Sequence, residues 1–139
     1  MFAKWKASRE KTKAVQKAVE ESRYWREHPL LRECLQSMRG SCTVAPVEMH
    51  EAAIAVVNIA LREGEWLGAA AVPADFMEDM VFLVWDDEKL PVLKAPWGQV
   101  RENLDTVTAV AKQAFLVAQT LDRIIWFDAQ SSIKLYSIV

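Results

Sequence analysis

The sequence predicts an α+β domain in which N-terminal helices precede a mostly antiparallel five-stranded sheet with a long helix packed on one face, in the order ααα-βββ-α-ββ. Three observations carry this. The first 63 residues hold a single glycine, Gly40, and are rich in good helix formers. From Glu65 the apolar residues fall into short or alternating runs separated by turn-prone groups. No strand-like run is repeatedly followed by a crossover helix, which favours antiparallel pairing over a parallel sheet.

The first helix is expected over Lys4–His28, a stretch without Gly or Pro, with a narrow apolar stripe through Ala14, Val15, Ala18, Val19, Ser22 and Trp25. Pro29 restarts the chain as the first-turn residue of a second helix, PLLRECLQSMR, with Leu30, Leu31, Cys34, Leu35 and Met38 as its buried side. Gly40 stops it at a position that favours a left-handed cap. After an SCTVA turn, PVEMHEAAIAVVNIALRE reads as a third helix with Pro46 in its first turn and Gly64 beyond its end. Between Ala52 and Ala60 only Asn58 is polar, so this helix is expected at the centre of the core.

Three strands follow in WLGAAAV, DMVFLVWD and LPVLKAP, the second and third as a hairpin. Val81, Leu83 and Trp85 alternate with Met80, Phe82 and Val84, so both faces of that strand are apolar and need covering. Residues 97–121 carry the most regular helical spacing in the chain: Trp97, Val100, Leu104, Val107, Ala111, Ala114, Ala118 and Leu121 step by three and four. A long helix is expected there. RIIWFDAQSSIKLYSIV then closes the chain as a second hairpin.

A chain of 139 residues makes one ordinary domain that hides about two thirds of its unfolded surface. We divide it into a basic arm, residues 1–28, and an α+β body, residues 29–139. Residues 1–26 carry eight Lys or Arg against three Glu, leaving nine basic and sixteen acidic residues for the remainder. No run is long and apolar enough to span a membrane, and MFAKWKASREKTK lacks the apolar segment of a secretory signal. A cytoplasmic location with reduced Cys34 and Cys42 is the expectation.

The residues give little purchase for catalysis. WDDE, at residues 85–88, holds three adjacent acids between two strands, where Asp serves as a turn former. An acid–base pair needs carboxylates in contrasting environments, which a solvated hairpin tip does not supply. His50 and Glu51 are adjacent on a helix and point about a hundred degrees apart, and MHEAAIAV lacks a second metal-binding histidine. His28, Cys34, Cys42 and His50 are spaced too widely for an ordinary zinc module, so no metal is expected. The four glycines are isolated from one another, which excludes a glycine-rich phosphate loop. No cofactor and no catalytic residue is assigned.

Six tryptophans stand out, at 5, 25, 66, 85, 97 and 126. Those on strands read as core, whereas Trp5 lies with Phe2 among lysines on the arm. From the third helix onward, residues 46–139, the order helix, three strands, helix, two strands resembles that of the small dimeric secretion chaperones. Those proteins bind unfolded client segments without catalysis. Their closing helix has no counterpart here, and the first two helices are additional.

The resulting expectation is a non-enzymatic interaction module of the immunity, inhibitor, adaptor or chaperone-like kind. It binds another protein, or a second copy of itself, through apolar sheet surface and the basic helix, with Phe2, Trp5, Tyr136 and Ile138 as contact residues. The alternative is a small-molecule-binding protein or enzyme with a pocket between the sheet and the long helix, lined by Trp85, Phe115, Trp126, Asp128 and His50. Nucleic acid is disfavoured, because the acidic body opposes a broad phosphate-binding surface.

Overall fold

The computed structural model describes residues 28–87, 89–130 and 132–138. The helix expected before His28 lies outside them, as do Phe2 and Trp5. The described residues form an α+β fold built on one seven-stranded sheet, with all six strand pairings antiparallel.

His28 does not end a helix. It has extended backbone and caps α1 (Pro29–Ser37), its ring Nδ1 accepting from the Leu31 amide at 3.1 Å. Leu31, Cys34 and Met38 of this segment are buried, whereas Leu30 is exposed. Arg39 and Gly40 both adopt positive φ, as the left-handed stop requires. The expected SCTVA turn contains a short edge strand, β1 (Thr43–Val44), paired with β4 (Leu93–Pro96).

α2 (Val47–Glu63) begins after Pro46, which is its cap rather than a first-turn residue. Seventeen helical residues extend about 25 Å, close to the roughly 29 Å between the outer strands of a seven-stranded sheet. The helix thus carries the chain from β1 at one edge to β2 (Leu67–Ala69) at the other. It is an outer layer and not a central helix: His50, Ala53, Ile54, Val57 and Ala60 are buried, while Ala55 and Ile59 face away.

The sheet order is β1-β4-β3-β5-β6-β7-β2, with β3 at Met80–Trp85, β5 at Ala114–Ala118, β6 at Arg123–Phe127 and β7 at Ile133–Ser137. The β3–β4 and β6–β7 hairpins form as their alternating patterns imply. WLGAAAV contributes a strand only over Leu67–Ala69, and it pairs with β7 at the far edge.

The long helix over residues 97–121 does not form. Two short helices, α3 (Trp97–Glu102) and α4 (Leu104–Ala109), are followed by β5, which inserts between β3 and β6 at the centre of the sheet. The sheet therefore has seven strands instead of five, and it is covered on both faces. Leu31, Cys34, Met38, Trp97, Val100 and Val107 pack with Val81, Leu83, Trp85, Leu116 and Ile125 on one face. Ala53, Ile54, Val57 and Ala60 of α2 pack with Phe82, Val84, Phe115, Val117 and Ile124 on the other. Every residue of β5 is buried, as a strand between two helical layers should be.

Candidate functional site

The β2 edge and the cavity beside it both present apolar surface to solvent. Between β2 and β3 the chain returns across the first face, held by Trp97 Nε1 donating to the Ala74 carbonyl at 2.9 Å and Arg123 Nη1 donating to the Phe76 carbonyl at 2.9 Å. This return segment, the α3–α4 pair and the β6–β7 hairpin enclose a half-open cavity of about 620 Å³. Its apolar wall comes from Val72, Leu104, Phe127, Ala129 and Ile133, and its polar wall from Arg101, Asp105, Thr108, Lys112 and Asp128.

The two acids of that wall differ. Asp128 Oδ1 accepts from the amides of Gln130 and Ser132, at 2.9 and 3.0 Å, and its Oδ2 lies 3.3 Å from Lys134 Nζ. Led by the Ser132 amide, these contacts hold its carboxyl below the usual range, so it is a turn-forming anion whose acceptors are engaged. Asp105 is exposed on α4. Arg101 and Lys112 form no ion pair with any described residue.

From the cavity the apolar surface continues to the sheet edge. Ile133 opposes Ala69 and Leu135 opposes Leu67 in the β7–β2 register, so all four share a face. Leu67 is 72% exposed, the most exposed large hydrophobic residue described. Among the described residues β2 has no strand on its outer side, and residues 66–72 include neither charge nor proline.

The other residues singled out from sequence lie elsewhere. Of the five proposed to share a pocket, only Asp128 lines this cavity. Trp85 is buried under α4, its Nε1 donating to the Val107 carbonyl at 2.8 Å. Phe115 and Trp126 belong to the opposite face, stacked at 5.7 Å. Trp126 continues into a cluster with Trp66 at 5.2 Å, and Trp66 meets Tyr136 at 5.3 Å. Lys134 lies over the Trp126 ring, whose Nε1 donates to Gln113 Oε1 at 2.9 Å. Tyr136 is thus half-buried packing, and Ile138 is 53% exposed just past β7.

His50 is buried on α2, where desolvation lowers its pKa to about 4. At neutral pH it is uncharged. Burial also raises Cys34 to about 11 and Cys42 to about 12, so neither thiol is an activated nucleophile. Asp87 shapes the turn after β3, accepting from the Lys89 amide at 2.9 Å. Asp86 is less solvated than a hairpin tip implies: desolvation raises its pKa, while a 2.9 Å bond from Gln113 Nε2 opposes that rise. Among the described residues, no group of three or more His, Cys, Asp or Glu is placed to hold a metal ion. None forms a helix long and apolar enough to cross a membrane.

The cavity residues are spaced legibly. Arg101, Asp105, Thr108 and Lys112 step by four, three and four, forming a polar stripe beside the apolar one in the stretch read as a long helix. That stripe lines the cavity only because the chain turns into β5 and leaves the β6–β7 hairpin opposite. The chain matches no protein-family model and no curated protein.

Proposed function

We propose that this chain is a non-enzymatic protein-binding module that receives an extended, apolar segment of a partner protein along β2. The carrying observation is Leu67, 72% exposed on an outer strand that neither charge nor proline protects. Natural edge strands are usually blunted by such residues, because unpaired backbone groups invite another strand. A segment added beside β2 would gain main-chain hydrogen bonds, and its alternate side chains would lie against Leu67 and Ala69, with Leu135 and Ile133 one strand further in.

The test is a photo-crosslinking residue at position 67 in the full chain, exposed to lysate of the producing cell. The expected result is a discrete protein adduct mapping to one extended apolar segment, competed by a synthetic peptide of that segment. An adduct with a second copy of the chain would make the partner self. Absence of any competed adduct at position 67 would sink the proposal.

A further inference from the structure

We propose that the cavity between α3–α4 and the β6–β7 hairpin binds a small organic anion with an apolar body. The inference differs from the strand-edge reading, since it concerns a half-open volume and its charges, with Ile133 shared by both. A cavity of about 620 Å³ lies within the range that small ligands occupy, and Leu104, Phe127, Ile133 and Val72 give it an apolar lining that water solvates poorly. Polar groups on such a wall decide which end of a ligand goes where. Arg101 and Lys112 contribute two cations without ion pairs among the described residues. Asp128 is already occupied by two amides and Lys134, so it does not cancel them.

Within the lining, the charge left for a ligand is two cations against the single carboxylate of Asp105, with Asp86 drawing on Lys112 from outside it. Arg101 lies in the last turn of α3 and Lys112 follows α4, so both are carried on one connected stretch of backbone. A carboxylate or a phosphate monoester at the polar wall would form charge-assisted hydrogen bonds with Arg101 or Lys112, with its hydrocarbon body on Phe127 and Leu104. Thr108 already donates to the Leu104 carbonyl at 2.8 Å, which leaves its hydroxyl oxygen as an acceptor. It therefore offers an anionic head no hydrogen-bond donor, and the recognition rests on Arg101 and Lys112.

The test titrates phenylbutyrate, phenyl phosphate, phenylbutanol and phenylbutylamine into the full-length protein and follows methyl and ring signals of Val72, Leu104, Phe127 and Ile133 by NMR. Saturable shifts confined to these residues are expected for at least one of the two anions, with the alcohol weaker and the amine weakest. The Arg101→Gln/Lys112→Gln variant, altered only at exposed positions, should lose about tenfold or more in anion affinity. Asp105→Asn should bind the anion at least as tightly. Equal binding of amine and anion, unchanged affinity in the double variant, weakened binding in Asp105→Asn, or no shift with either anion at millimolar concentration would each overturn the assignment.

Discussion

Tyr136 lies against Gly64 so closely that a Cβ on the glycine would sit 2.5 Å from the ring Cε2 and 2.6 Å from the Ala60 carbonyl oxygen. The glycine is required here for approach and not for a left-handed turn, since its φ is −78°. It ends α2 and lets the β7 tyrosine reach Trp66, whose Nε1 is anchored on the same Ala60 carbonyl at 3.0 Å. Gly64→Ala should therefore destabilise the fold by about 1–3 kcal/mol, the usual cost of overpacking. Urea denaturation should show a smaller loss in a Tyr136→Ala background, because the ring clash is then gone while the carbonyl clash remains.

His50 sets a direction for acid sensitivity. Its folded pKa of about 4 lies below the ordinary 6.5, so the unfolded chain binds the proton more readily between those values. Its contribution is complete above about pH 6.5 and declines as pH falls toward about 4, by at most about 3 kcal/mol. His50→Leu should remove that part of the slope. Denaturation midpoints of both proteins between about pH 7.5 and 4.5 check this, and parallel curves would refute it.

The raised thiol pKa values give a chemical prediction. At about 11 and 12, Cys34 and Cys42 hold very little thiolate near neutral pH. Native-state alkylation should run about a hundredfold or more below that of a peptide thiol, and both should label quickly in denaturant. Cys34 is buried and Cys42 half-buried, and rapid native labelling of either, read by intact mass, would contradict the raised pKa.

Trp85 combines full burial with a 2.8 Å hydrogen bond from its Nε1 to the Val107 carbonyl, tying the central sheet to α4. Trp85→Phe keeps an aromatic ring but orphans that carbonyl, which should cost about 1–3 kcal/mol. The check is the chemical-denaturation midpoint; an unchanged value would mean that the bond contributes nothing net.

How much of this was legible depended on whether a local pattern had one meaning. In α1, Pro29 and Gly40 punctuate the segment through backbone chemistry that tertiary packing does not override, and both ends were readable. The β3–β4 and β6–β7 hairpins were readable because alternating runs flank turn-forming groups. β5 was not. Ala114, Phe115, Leu116, Val117 and Ala118 are apolar on both sides, so alternation vanishes and the alanines extend a helical stripe from Trp97. The decisive fact is the presence of strands on either side of β5, which is a non-local property. The cavity was hidden for the same reason, because it exists only once that stretch bends into the sheet. The edge position of β2 was hidden too, set by the reach of α2 across the sheet.

Leu67 separates a binding role from a structural one. At 72% exposure it contributes little burial, so Leu67→Lys should leave stability within about 0.5 kcal/mol of the parent. Leu116→Ala, fully buried on β5, should cost about 2–5 kcal/mol by comparison. A charge at position 67 also makes an outer strand less receptive to a neighbouring one, since desolvating an ammonium beside apolar side chains is unfavourable. The lysine variant should therefore fold normally while losing whatever segment pairs along β2. Comparing its denaturation curve with its capture of the crosslinked segment reads the two effects separately. A large stability loss in Leu67→Lys would show instead that the leucine holds the edge in place, and that its exposure does not mark a docking surface.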